Sequence, residues 1–172
     1  MKKYLIGALA LSLLLPLSGC MNEKTTPPPQ KQEETKQTPA KKGPVVLYLP
    51  SEDGTGVLPK TLTLTYETTD AAQILTALIA ADRAAPYPLI PENLTVRSVT
   101  VKDSIATVDF SKELKNLAAG QTTETLFITS VVNTLTEDPA ITGVRFTIEG
   151  TPIQKLSGHY DMTQIFKRTV KS

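Results

Sequence analysis

LTVRSVTVKDSIATVDFSKEL, residues 94–114, contains two runs of alternating apolar and polar side chains separated by the dipeptide Asp103-Ser104. Two such runs joined by two turn residues read as a β-hairpin. A two-residue turn places Val101 opposite Ala106, Val99 opposite Val108 and Arg97 opposite Phe110. Opposed residues share a sheet face, so Val99, Val101, Ala106, Val108 and Phe110 gather on one side. Ser98, Thr100, Thr107 and Asp109 take the other. The hairpin is expected to bury one face and wet the other, which makes its register strongly specified.

The same periodicities extend to both sides. Val45, Leu47 and Leu49 alternate with Val46 and Tyr48 and stop at Pro50 and the turn-rich Ser51-Glu52-Asp53-Gly54, predicting a strand. Leu62, Leu64 and Tyr66 predict a second, with Thr61, Thr63 and Thr65 facing away. Thr68-Thr69-Asp70 supplies a helix N-cap ahead of Ala71, Ile74, Leu75 and Leu78, spaced i, i+3, i+4 and i+7. That helix ends at Ala85 before Pro86. A second helix is predicted from about Thr122 to Glu137, with Ile128, Val131, Val132 and Leu135 as its stripe and Pro139 as its stop. Val144, Phe146 and Ile148 predict a final strand, with Thr147 on its polar face and a turn at Gly150, followed by a loosely structured tail.

The order β-β-α-β-β-α-β, with two helices whose stripes need an apolar surface to cover, predicts an α+β fold: a two-layer sandwich of two helices on one mixed β-sheet. Tryptophan is absent and aromatics are few, so the core is expected to be mainly aliphatic.

The segment upstream has a different character. Lys2 and Lys3 precede an apolar run from Tyr4 to Leu17, too short for a comfortable membrane span and proportioned like the apolar region of a secretory signal. It ends in Leu17-Ser18-Gly19-Cys20, which resembles the lipobox of bacterial lipoproteins. Cys20 is the only cysteine in the chain, so neither an internal disulfide nor a cysteine metal cluster can use it. The expected organisation is a signal peptide at 1–19, a lipid-anchored tether at 20–42 with Cys20 as the acylated residue, and a single domain at 43–172. Acyl chains on one residue hold a domain at a membrane through roughly 0.8 kcal/mol per buried methylene. Proline-rich and nearly devoid of large apolar side chains, the tether cannot offset the entropy of ordering. As a coil it spans roughly 25 Å, and fully extended about 70 Å.

Residues 20–42 carry five lysines and three glutamates, whereas residues 43–172 carry eleven basic against fourteen acidic side chains. A mildly acidic domain lacks the clustered Lys and Arg of a nucleic-acid binder, so no nucleic-acid partner is expected.

Three segments resemble the GerMN domain family of bacterial sporulation and spore-germination proteins: VVLYLPSEDGTGVLP at 45–59, LIPENLTVRSVTVKDSIATVDFS at 89–111 and, most specifically, NTLTEDPAITGVRFTIEG at 133–150. The resemblance runs from about Val45 to Arg168. It implies an extracytoplasmic domain, commonly on lipoproteins, tied to spore assembly, germination or envelope signalling, with a fold similar to the ring-building domains of secretion systems. It carries no catalytic residues. The chain departs from the family's usual pattern in having Asp103-Ser104 where Asp-Gly is common, and Ala80-Ala81-Asp82-Arg83 where Gly-Pro is often found.

The only histidine lies in Ser157-Gly158-His159-Tyr160-Asp161, which holds a serine, a histidine and an acid in five residues. Triads assemble from separate elements, however, and no G-x-S-x-G elbow occurs, so a polar loop is the expected reading. Too few His and Cys remain for zinc. Asp109, Glu113, Glu137, Asp138 and Glu149 are the candidates for a glycosidase carboxylate pair, although acids at strand and helix ends are ordinarily solvated. The expectation is a non-enzymatic envelope protein without cofactor or metal, anchored through Cys20, that acts on other envelope proteins or on copies of itself. The alternative is a domain that binds or hydrolyses cell-wall glycan, with peptidoglycan as the partner. Thr100 and Thr147, on polar strand faces, are the expected contact positions.

Overall fold

A computed structural model of the chain describes residues 43–63 and 70–168, all within the compact unit Gln37–Ser172. Cys20 and its flanking segments lie outside the described residues, as do Leu64, Tyr66, Thr68 and Thr69 of the expected second strand and helix cap. The described elements are β1 (Val45–Pro50), β2 (Val57–Leu62), α1 (Ala71–Arg83), β3 (Val96–Lys102), β4 (Ile105–Phe110), a 3-10 turn (Lys112–Asn116), α2 (Gln121–Leu135), β5 (Gly143–Ile148) and a short β6 (Thr151–Pro152).

The hairpin forms around Asp103-Ser104, whose φ values of 50° and 62° put both residues in the left-handed region of a type I′ turn. Val101 stands opposite Ala106 and Val99 opposite Val108, as the alternation predicts. The register slips one step further on, where Val96 rather than Arg97 stands opposite Phe110. A guanidinium in the expected position would enter the apolar face. The irregularity instead turns Arg97 to the polar side, with its Nε 3.0 Å from Asp109 Oδ2 and Nη1 3.7 Å from Glu149 Oε1.

β4 and β5 run parallel, Val108 beside Phe146, with α2 in the connection between them. β6 returns antiparallel through Glu149-Gly150, giving a four-stranded mixed sheet of order β3-β4-β5-β6. β1 and β2 form a separate antiparallel ribbon where one continuous sheet was expected. The reason lies in what β1 meets. The Tyr48 N–H donates to Thr134 Oγ1 of α2 at 3.0 Å, so a helix rather than another strand takes that side of β1.

Asp70 caps α1, its carboxylate accepting the Ala72 N–H at 2.8 Å. α1 ends two residues earlier than predicted, and Asp82 and Arg83 organise the loop that follows. The buried Asp82 carboxylate accepts the Leu89 and Ile90 N–H groups at 3.1 and 2.8 Å, while Arg83 Nη2 donates to the Leu94 carbonyl at 2.8 Å. Burial pushes the Asp82 pKa up, and the two backbone donors oppose that shift.

Leu75 and Leu78 of α1, Phe127, Val131 and Leu135 of α2, Val108 and Phe110 of β4, and Val144 and Phe146 of β5 share one core. The expectation of a mainly aliphatic interior is corrected at its centre. Phe110, Phe127 and Phe146 sit with ring centroids 5.7, 6.3 and 6.1 Å apart, the first and last pairs tilted as ring quadrupoles favour. The tail expected to be loose also contributes, with Met162 fully buried and Phe166 edge-on to Phe146 at 5.5 Å.

Candidate interaction surface

A strand edge offers unpaired backbone N–H and C=O groups to any extended partner unless something covers or blunts it. Two of this protein's edges are managed. On the outer side of β5, Val144 exchanges backbone hydrogen bonds with Phe166 in both directions at 2.8 Å, and Thr147 and Ile148 pair with β6. On β2 the device is Pro59. Its partner Tyr48 turns its N–H away toward Thr134, so the Tyr48–Pro59 pair exchanges no backbone bonds and the proline nitrogen faces outward with no hydrogen to give.

The third edge is open. The two-residue turn makes Lys102 and Ile105 the closing hydrogen-bonded pair. Alternation then directs the N–H and C=O of Val99 and Val101 away from β4, and no strand among the described residues takes them. Arg97, Ser98, Thr100, Val101 and Lys102 are all exposed on β3. Val101 is 42% exposed although its cross-strand partner Ala106 is 0% exposed, so the apolar face continues past the edge of its cover. Of the two expected contact positions, Thr100 lies on this edge. Thr147 does not face solvent: it is buried, and its hydroxyl donates to Asp109 Oδ1 at 2.8 Å.

An open groove of about 800 Å³ runs along α2, walled by Tyr48, the Gly54–Val57 turn, Thr125, Thr129, Asn133 and Arg168. Its lining is mostly neutral, with hydroxyls and amides beside Leu126 and Val57. Asn133 is 7% exposed, and its Oδ1 has no hydrogen-bond partner in the structure. A smaller adjoining pocket shares Thr125, Thr129 and Asn133 and adds Tyr160 and Phe166. Arg168 is engaged: it donates to Glu137 Oε1 at 2.6 Å and to the Tyr48 hydroxyl, with its guanidinium 5.0 Å from the Tyr48 ring centroid. Burial, then the hydrogen bond to Glu137, raises the Tyr48 pKa.

The sequence motif around His159 takes a structural role. Glu124, 0% exposed in the first turn of α2, accepts the backbone N–H groups of Ser157 and His159 at 3.4 and 3.2 Å and lies 3.2 Å from His159 Nδ1. Asp161 turns back to Thr163, accepting its N–H and hydroxyl. Nothing in the pattern marked Glu124, because an acid in a first helical turn is ordinary and complements the helix dipole.

The candidate carboxylates also have defined occupations. Burial pushes the Asp109 pKa up, but hydrogen bonds from the Gly150 N–H, the Thr147 hydroxyl and Arg97 outweigh it and hold the group below its usual range. Glu113 is likewise held low, chiefly by the Ser111 hydroxyl. A general acid needs the opposite shift. Glu149 faces Arg97, Glu137 serves Tyr48 and Arg168, and Asp138 caps the Ala140 N–H at 2.9 Å. Among the described residues, no group of three or more His, Cys, Asp or Glu side chains is placed to hold a metal ion.

Fold and surface together define a small α+β domain of two helices on a mixed sheet, with the β3 edge left open among the described residues. Residues 46–154 match the Germane family model, described as sporulation and spore germination, and since this is more than half of the chain, the protein belongs to that family. The first GerMN domain of the sporulation protein GerM from Bacillus subtilis is 27% identical, with a TM-score of 0.60 over 76% of this chain and 99% of that one. The tandem GerMN domains of the same protein align at 23% identity and a TM-score of 0.55, covering 75% of this chain and 44% of the tandem chain. A Clostridium perfringens protein shares the fold at 20% identity and a TM-score of 0.51, over 72% of this chain and 86% of its own. No curated protein matches the sequence.

Proposed function

We propose that this chain is a lipid-anchored extracytoplasmic protein of the cell envelope, whose GerMN domain works without catalysis by assembling with other envelope proteins in a sporulation- or germination-related complex. The open β3 edge carries this reading, because among the described residues no strand, helix or proline closes it, whereas β1 meets α2, β2 carries Pro59 and β5 is covered by Phe166 and β6. Anchoring is supported by Leu17-Ser18-Gly19-Cys20. No helix among the described residues is long and apolar enough to cross a membrane. A flexible tether holds the domain within reach of neighbours and raises their effective concentration, so weak contacts suffice. A photoreactive residue at Thr100 in the anchored chain is expected to give a discrete adduct with a neighbouring protein. Cys20→Ser is expected to abolish lipid labelling. Labelling that persists in the Cys20→Ser chain removes the anchor, and a Thr100 probe that yields no specific adduct in the folded, anchored protein removes the assembly role.

The α2 groove favours a second reading, the binding of cell-wall glycan. Its hydroxyl and amide lining, with the unpartnered Asn133 Oδ1, suits a neutral, hydroxyl-rich ligand. Sedimentation with purified peptidoglycan, lost in Thr129→Val, would support it. Release of soluble muropeptides by the purified chain would overturn the non-catalytic reading.

A further inference from the structure

We infer that the open β3 edge pairs with the same edge of a second copy of this chain, antiparallel about a two-fold axis through Thr100. This inference rests on the assembly reading and names its partner.

Self-pairing of an edge demands that the strand complement itself when reversed, and β3 does so in one register. The outward-facing backbone groups belong to Val99 and Val101, so hydrogen-bonded partners must both come from that set. With Thr100 opposite Thr100 of the second copy, each Val99 meets a Val101, and both valines exchange N–H and C=O bonds. On the apolar face this puts valine against valine on either side of the axis and covers the Val101 side chain, 42% exposed in the single chain. The polar face then carries the Thr100 pair, a favourable cross-strand combination, with each Lys102 opposite a Ser98.

The two neighbouring registers with the same hydrogen-bond parity are worse. Centring on Val99 sets Val101 against Arg97 and Lys102 against Val96. Centring on Val101 sets Val99 against Asp103 and Thr100 against Lys102. From Ser98 to Lys102, only the Thr100 register matches apolar with apolar and polar with polar.

The strand is also suited to the role in what it lacks. It contains no proline or glycine, and its irregularity, at Val96–Ser98, precedes the valine pair, which keeps regular register with β4. β2, by contrast, is blunted by Pro59 at its centre.

The geometry provides its own probe. Thr100 opposite Thr100 is a non-hydrogen-bonded pair, whose Cα atoms stand about 4.5 Å apart, within the range of about 4.4–6.8 Å that a disulfide spans. Thr100 is exposed, so Thr100→Cys leaves the fold of the single chain intact. Membranes carrying the full chain with Thr100→Cys are treated with a mild oxidant and run without reductant, beside the parent chain and Thr61→Cys, an exposed position on the blunted strand. Thr100→Cys is expected to give a disulfide-linked dimer well above Thr61→Cys, the parent chain none, and added Val101→Lys is expected to bring the loss of that dimer. A yield at Thr100→Cys no greater than at Thr61→Cys overturns self-pairing. If a photoreactive residue at Thr100 still captures a different envelope protein, the assembly reading survives that result. If it captures nothing, both fall.

Discussion

The β3–β4 hairpin and the C-terminal segment from Ile153 to Arg168 are held in place by opposite means. The hairpin is a ladder of local backbone bonds with a short loop and an alternating pattern. The C-terminal segment has no regular structure beyond one bridge at Phe166, yet it buries Met162 completely and closes the edge of β5. Its backbone is satisfied by side chains from elsewhere, above all Glu124 across a separation of more than thirty residues. Local order can be read from neighbours in sequence, whereas order supplied by a distant acceptor cannot. The two regions should therefore respond differently to substitution.

The largest difference is expected from Glu124→Ala. It strands the Ser157 and His159 N–H groups, each costing about 1–3 kcal/mol when left without an acceptor. Amide hydrogen exchange should accelerate across residues 153–168 while β3 and β4 keep their protection. Equal loss in both regions would show that the segment and the hairpin unfold as one unit.

Gly143→Ala comes next. A Cβ at Gly143 would lie 2.6 Å from Ile165 Cγ2 and 3.3 Å from the Phe166 carbonyl, so Ile165 must move and the Val144–Phe166 bridge with it. Overpacking of this kind costs about 1–3 kcal/mol. Chemical denaturation should give a lower midpoint, and limited proteolysis should cut the C-terminal segment first.

The hairpin should respond in the other direction. Ser104 holds a φ of 62° that glycine adopts without steric cost, and relieving one non-glycine residue of the left-handed region recovers about 1 kcal/mol. Ser104→Gly is therefore expected to raise the melting temperature without altering exchange in residues 153–168.

Acid should have the smallest effect. The folded pKa of Asp109 lies below its ordinary value of 3.8, so its contribution is fully present above that value and is lost as pH falls through the folded pKa. The acid limb of a stability profile should flatten in Asp109→Asn, which also loosens Gly150 and Arg97. An unchanged limb would mean that the Asp109 carboxyl titrates alike in the folded and unfolded chains and that these bonds do not lower its pKa.

Much of the fold was legible because it is local. The apolar stripes of α1 and α2 fall on buried residues such as Leu75, Leu78, Val131 and Leu135, and the turn at Asp103-Ser104 follows from its length alone. The slip at Arg97 also had a signal: Val96-Arg97-Ser98-Val99 breaks the alternation, with two polar residues where one would keep the period. α2 was only half readable. Glu124, Ser130, Asn133 and Thr134 are buried as well as its apolar stripe, because β1, the sheet and the C-terminal segment enclose it. A polar residue on a helix face reads as solvated until something packs over it.

By itself, the sequence determined the α+β class, the two helices, and the hairpin and its turn, which rest on periodicity and short-range sterics, and also the family resemblance, which rests on three matching segments. The tertiary structure alone decided that the strands divide into a ribbon and a four-stranded sheet, that the three central phenylalanines meet, and that Glu124 receives the C-terminal segment. It also decided which edge remains open. An edge is covered or free according to what arrives from far along the chain, as Phe166 does at Val144 and nothing among the described residues does at Val99 and Val101. Local pattern carries no record of such an arrival.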